Sequence, residues 1–301
     1  MIVFNFINNY CIKMKKIPFY FSVDFEDFYH DKKRQLGHLN PDTLEKPLWK
    51  SYEKIKKICE NLFSNKKITF FSTGILAQKV PDLLSNIAKD GHEIGCHYHY
   101  HDSIHLTNKE NFSKNLDLAI ESIEKATGII PKGFRAPNFD IKPNDSWAFE
   151  ELAKRFDYDS SYITDQPLKK ILPSGRFEFK NNTLREFFIF ANSIPGTKFS
   201  FRTGGTYLRL FPSIITINNL RKTFQNGHIP LLYMHPYEFL KDYEFWIPWK
   251  DFINLSLPKK LIKWSRQIQW HKVGNAGVYS KLSKIANFFE HQGPMNTLLK
   301  N

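Results

Sequence analysis

The residues of this chain that could do chemistry gather in a few short stretches. Five of its 11 histidines fall between His92 and His105, in GHEIGCHYHYHDSIH. His97 and His101 are four apart, His99 lies between them, and His105 follows four residues later. Imidazole is a common ligand of divalent metals, and two histidines one helical turn apart can converge on one ion. A second cluster, Asp24, Glu26 and Asp27 in SVDFEDFYH, supplies what the histidines lack. A catalytic zinc site takes three protein ligands and leaves a position for water, and a further carboxylate can take a proton from that water. Three acids in four residues usually form a surface turn, but these follow directly on an apolar run. Asp24 and Glu26 share a face if the strand continues through them. If it ends at Phe25, Glu26 and Asp27 present the adjacent pair. Asp24 is favoured as the base, with the metal carboxylate open between Glu26 and Asp27. Arg135 in GFRAPNF and His235 in LLYMHPYE each close another short apolar stretch.

These clusters need elements to position them, and the apolar pattern supplies candidates. Residues 17–23 (IPFYFSV) and 68–72 (ITFFS) predict buried strands. Short strands are also expected after the turn at 91–95, at 133–135 and 158–160, and at 184–189 and 229–234. Helical spacing of Leu48, Tyr52, Ile55, Ile58 and Leu62 predicts a helix over 44–63. Further helices are expected over 81–88, 108–126, 145–156, 214–224 and 279–289, the last closing the chain. Gly204-Gly205 marks a turn. Strands alternating with helices predict a parallel α/β architecture, in which chemistry collects at the C-terminal ends of the strands. All four polar clusters fall at such ends.

The bulk properties narrow the function classes. The 301 residues are 42% hydrophobic, ample for a large core. The net charge of +13 is spread through helical stretches, such as Lys54, Lys56 and Lys57, without an arginine-rich run or a recognised nucleic-acid motif, so no nucleic-acid partner is expected. A basic surface also suits a phosphate-bearing sugar precursor. Three widely spaced cysteines, Cys11, Cys59 and Cys96, argue against a disulfide framework and for a reducing, cytoplasmic compartment. No run of about 18 apolar residues marks a membrane span. The basic C-terminal stretch from Leu257, with Trp264 and Trp270, is expected to pack on the barrel, with docking on the inner membrane face as the alternative. Met14 is a plausible start, making residues 1–13 a disordered or spurious extension and 14–301 a single catalytic domain.

Taken in order, SVDFEDFYH, GHEIGCHYHYH, GFRAPNF and LLYMHPYE resemble the motifs of the NodB-type polysaccharide deacetylases, carbohydrate esterase family four, over residues 18–240. YDSSY near Asp159 and GGTYLRLFP near Gly205 resemble a subgroup tied to surface-polysaccharide biosynthesis, of the O-antigen or capsule kind. The resemblance implies a distorted (β/α) barrel and a divalent metal, Zn2+ first, held by His97, His101 and one acid of the first motif. It implies Asp24 as base, Arg135 as the partner orienting it, and His235 as general acid. Asp159 would orient a catalytic histidine, and the backbone N–H of Asn138 would face the oxyanion. His99 and His105 stand as supporting candidates from the histidine cluster. The implied reaction removes the acetyl group from an amino sugar of a surface polysaccharide or of its nucleotide- or lipid-linked precursor. Two rival readings are an amidohydrolase acting on another C–N bond, and a non-catalytic module binding glycan or an anionic surface.

Overall fold

The computed structural model describes residues 15–142, 145–193, 196–197, 200–252 and 255–300. The expected extension 1–13, with Cys11, lies outside the described residues. The first half runs β1 (Ile17–Phe25), α1 (Phe28–Gln35), α2 (Glu45–Leu62), β2 (Thr69–Ser72), α3 (Gly74–Lys79), α4 (Pro81–Lys89), β3 (Glu93–Cys96), α5 (Lys109–Thr127), β4 (Gly133–Phe134), α6 (Ser146–Ala153) and β5 (Tyr158–Asp159). The second half runs β6 (Ile163–Thr164), α7 (Leu168–Ile171), β7 (Arg176–Glu178), β8 (Thr183–Glu186), β9 (Ile189–Ser193), β10 (Ser200–Arg202), α8 (Gly205–Leu210), α9 (Ser213–Gln225), β11 (Leu231–Met234), α10 (Leu257–His271), α11 (Val278–Ala286) and β12 (Phe289–His291).

The strands form a sheet in the order β11-β1-β2-β3-β4-β5-β8-β7, with β12 added beside the start of β1 and only the β7–β8 pair antiparallel. A second sheet, β10-β9-β6, continues from β5 and β8. The expected strand over 184–189 is therefore two strands in two sheets, broken at Phe187 and Phe188. Gly204, just after β10, forms a bridge to Tyr233 of β11, so the second sheet returns to the first through a short seam and the α/β barrel is distorted. Gly204 has φ of +153°, and a Cβ there would lie 2.1 Å from the carbonyl oxygen of Tyr233. Glycine is required at that approach.

Alternation along the strands divides two cores. Phe19, Phe21, Val23 and Phe25 of β1 face the helices, together with Phe70, Ile94, Cys96, Phe134, Leu232 and Met234. Tyr20 faces the barrel interior with Phe71, Tyr158, Leu231, Tyr233 and Met295. Fully burying one such ring contributes about 2–3 kcal/mol. Gly133 lets the Tyr158 ring lie against the backbone, where a Cβ would be 2.0 Å from Cζ. Buried Glu93 clasps the interior, accepting from Thr69 Oγ1 at 2.6 Å, Tyr158 Oη at 2.9 Å and the Asn296 N–H at 3.0 Å. α5 begins as its sequence requires, with Asn108 accepting from the Asn111 N–H and Gly128 left-handed at its end.

Candidate metal and acid–base site

The register of the sheet brings the four polar clusters together. Val23 pairs with Met234, Ser72 with Cys96, and Cys96 with Phe134. The residues that follow, Asp24, His97, Arg135 and His235, therefore emerge side by side at one sheet edge. β1 extends through Phe25, so Asp24 lies on the interior face with Tyr20, and Glu26 follows on the same side.

Arg135, fully buried, donates from Nη1 to Asp24 Oδ1 at 2.6 Å and to Ser22 Oγ at 2.7 Å. Its Nη2 reaches Ser160 Oγ at 3.0 Å and its Nε the Ser160 carbonyl at 3.2 Å, while its guanidinium stacks 4.2 Å from the Phe71 centroid. Breaking such a buried pair typically costs 3–5 kcal/mol, because the remaining charge has no partner. The second oxygen of Asp24 is 4.0 Å from His235 Nε2.

Glu26, His97 and His101 offer ligand atoms that all lie within 4.8 Å of one another. Glu26 Oε2 is 2.6 Å from His101 Nε2 and 3.7 Å from His97 Nε2. It is buried without a hydrogen-bond donor despite that proximity. His97 Nδ1 faces the Arg135 carbonyl at 2.8 Å, which requires that nitrogen to carry the proton and leaves Nε2 with its lone pair. Burial pushes the Glu26 carboxyl up, but His101 and His97 outweigh it and hold it well below the usual range. Burial likewise depresses His101, and Glu26 reverses this and raises it. Two imidazoles and one carboxylate, buried and short of donors, fit a divalent cation of the zinc type.

Asp27 is directed elsewhere. It caps α1, accepting from the Tyr29 N–H at 3.0 Å and the Leu44 N–H at 2.8 Å, and burial pushes it up to about 7. The structure thus brings Glu26, not Asp27, to the histidines. His99 is buried against Gly74 and Tyr100, and burial lowers it to about 4. His105 is exposed and bonds Asp140 at 2.5 Å. Neither joins His97 and His101.

Asp159 does not meet a catalytic histidine, contrary to expectation. Tyr158 takes the interior face of β5, so Asp159 points the other way, where burial raises it beside Glu186. It accepts from Ser161 Oγ at 2.6 Å, and that hydroxyl in turn accepts from the Ala136 N–H at 2.8 Å. Its influence is on the loop after Arg135. In that loop Asn138 and Phe139 are both left-handed, with φ of +58°. Asparagine tolerates this conformation better than other side-chain-bearing residues.

The residue oriented toward His235 is Glu238, which the motif reading passed over. Its Oε2 accepts from both the backbone N–H and Nδ1 of His235, each at 3.0 Å. Fully buried Arg209 donates to its other oxygen at 3.3 Å. Burial alone lowers His235, but Glu238, with Glu26 and Asp24, raises it to about 9. The sequence carried a signal: an acid three residues after a strand-end residue and a proline is the spacing of a capping box. Asp24, Glu26, His97, His101 and His235 open onto one cavity of about 720 Å³, walled by Asn138, Phe139, Tyr233, Tyr237 and one face of α10.

Residues 53–156 match the family model described as polysaccharide deacetylase, and residues 167–276 match a domain of unknown function, DUF3473. His97, His101 and Arg135 fall in the first segment, His235 and α10 in the second, and Asp24 and Glu26 precede both. The chain is similar to the peptidoglycan-N-acetylglucosamine deacetylase of Bacillus cereus, 33% identical over 88 residues, which are 29% of this chain and 32% of that protein. It is also similar to the uncharacterized protein YlxY of Bacillus subtilis, 39% identical over 72 residues, 24% of this chain and 23% of that one. The matched stretches thus span a third or less of these curated relatives. Similar solved structures include a family 4 carbohydrate esterase from Streptomyces lividans in complex with acetate, with TM-score 0.46, 10% identity and 91% of each chain covered. Another is the PuuE allantoinase, with TM-score 0.47, 14% identity and 88% and 89% covered.

Proposed function

From the premise that the chain carries a polysaccharide deacetylase domain, we propose that it hydrolyses the acetamide of an N-acetylated amino sugar. The sugar belongs to a surface polysaccharide or to its nucleotide- or lipid-linked precursor. The observation that carries this reading is one cavity holding Glu26, His97 and His101 between the Asp24–Arg135 pair and the His235–Glu238 pair. Because these residues come from both matched segments and from β1, residues 14–301 are taken as one catalytic unit. The buried free thiols Cys59 and Cys96 suit a reducing cytoplasm.

A divalent cation held by Glu26, His97 and His101, Zn2+ by the donor chemistry, would polarise the acetamide carbonyl and lower the pKa of a bound water toward ~7. Asp24 takes the proton of the attacking water on Oδ2, the oxygen Arg135 leaves free. Arg135 fixes the carboxylate in that orientation. The Asn138 N–H, presented by its left-handed backbone, hydrogen-bonds the oxygen on which negative charge develops. His235 gives its Nε2 proton to the departing nitrogen, since an amide nitrogen leaves poorly without one. Glu238 on Nδ1 stabilises the imidazolium. Acetate and a free amino sugar result.

The test measures bound metal and acetate release together, in the native chain and in His97→Ala and Asp24→Asn. Asp24→Asn retains an acceptor for Arg135, so it is expected to keep its metal while acetate release falls at least ~100-fold. His97→Ala is expected to lose both. Metal content unchanged in His97→Ala would reject this ligand set, and full activity in Asp24→Asn would reject the base.

A further inference from the structure

The acids that line the cavity, Asp24 and Glu26, are buried, while its other permanently charged lining residues are all cations, those of α10 exposed at what we take as its mouth. Lys259, Lys263 and Arg266 follow one another at intervals of three and four along α10, so they share a helix face, and that face lines the cavity. Lys32 of α1 and Arg202 at the end of β10, both half-buried, line the same cavity. Among the described residues none of these five cations makes an ion pair, whereas Lys33, Arg34, Lys50, Lys56 and Arg155 all pair with acids elsewhere.

Two of the five converge on one ring. Lys32 Nζ lies 5.4 Å and the Arg266 guanidinium 5.2 Å from the Trp270 centroid. Burial pushes Lys32 down, Glu26 and Asp31 pull it up, and Lys263 and Arg266 push it down again. Lys32 therefore lies within electrostatic reach of both the acid floor and the basic mouth. Arg202 stacks 5.8 Å from the Phe139 centroid, and its Nε is buried with no hydrogen-bond partner. Like charges collected around a cavity, with a buried donor unmet, form an incomplete site that a polyvalent anion would complete. A single carboxylate would engage one or two of these cations, whereas a phosphate or pyrophosphate offers enough oxygens and charge for several.

Resting on the deacetylase reading, we propose that this mouth is a subsite for the phosphate or pyrophosphate of a glycosyl-phosphate substrate, held by Lys32, Lys263 and Arg266 with Lys259 and Arg202 flanking. In a 2-acetamido sugar the acetamide and the anomeric phosphate stand on adjacent ring carbons. One cavity of about 720 Å³ can then hold the neutral acetamide over the acids and the phosphate at the mouth. The chain would act on an activated precursor before its sugar is transferred.

The experiment has two readouts, calorimetric binding of inorganic pyrophosphate and UDP, and acetate release. The substrates are UDP-N-acetylglucosamine, polyprenyl-pyrophosphoryl-N-acetylglucosamine in detergent, and neutral chitotriose. The Lys263→Gln/Arg266→Gln variant alters two exposed side chains and is expected to fold. Its KM for the phosphate-bearing substrate should rise about tenfold or more with kcat little changed, well beyond any change in KM for chitotriose, and its pyrophosphate affinity should fall in parallel. Preference between the nucleotide and the polyprenyl substrate identifies the source of the phosphate. No acetate from any substrate, with pyrophosphate binding still lost in the variant, would retain the subsite and reject the deacetylase reading. Absent pyrophosphate binding, binding unchanged in the variant, or equal competition by a polyuronate would overturn the subsite.

Discussion

Burial alone would strip His235 of its proton near neutrality; Glu238, with Glu26 and Asp24, raises it to about 9 instead. A general acid must carry its proton, so the rate should hold through neutral pH and fall as pH rises toward 9. A cation that neutralises Glu26 draws this limb to lower pH. Because the folded value exceeds the ordinary 6.5, the same protonation favours the folded state fully below about 6.5, and this contribution is lost as pH rises through about 9. In Glu238→Gln the alkaline limb of kcat/KM is expected to move roughly 1–2 pH units toward acid, with kcat reduced at pH 8. An unmoved limb would mean that Glu238 merely buries Arg209. Arg209 keeps carbonyl partners at Gln269 and Val273, so the variant is expected to fold.

Elements were legible where apolar periodicity was unbroken. β1, β2, α2, α5 and α9 fall within a few residues of expectation, because the helices each bury one regular face and the two strands are continuous apolar runs buried on both. α1 was not foreseen: its sequence, FYHDKKRQ, is polar, and the acid that caps it, Asp27, had been weighed as a metal ligand. The apolar run 184–189 concealed a change of sheet, since alternation cannot show which neighbour a strand pairs with. The site followed the same rule. Motif residues at strand ends are placed by register, while Asp159, whose role comes from the resemblance alone, lies on the face of the two-residue β5 opposite Tyr158, among Ser161 and Glu186. Glu238 lay hidden in a cap, and α10 lines the cavity through a tertiary packing that local sequence does not carry. The barrel seam tests this scale. Gly204→Ala forces a Cβ against Tyr233, and a loss of about 3 kcal/mol is expected, seen as a fall in Tm of about 6 °C. Gly277→Ala, whose Cβ would meet only the end of Lys281, is the control and should be near neutral. Equal Tm values in the two variants would show the seam contact to be dispensable.

At the scale of the molecule, a divalent cation held by Glu26, His97 and His101 would join β1 to the segment after β3, and its binding free energy would add to the folded state. Zinc at about a hundred times its Kd is expected to stabilise by ~2.7 kcal/mol and raise Tm by about 5 °C, with chelation reversing the gain and His97→Ala abolishing it. A Tm indifferent to zinc and chelator would exclude a preformed site. The pairing of β1 with β11 also has a consequence for how the chain is made. β1 leaves the ribosome early, yet its partner β11 is encoded about 200 residues later, so at roughly 5–20 residues per second β1 waits some ten seconds or more with one edge unpaired. The backbone groups of Tyr20 to Val23 wait along that edge, with Phe21 and Val23 on one face and Tyr20 on the other still short of their later partners. A growing chain with these groups uncovered is a natural client for chaperones that bind apolar segments, and slowing translation should increase aggregation of this protein rather than relieve it.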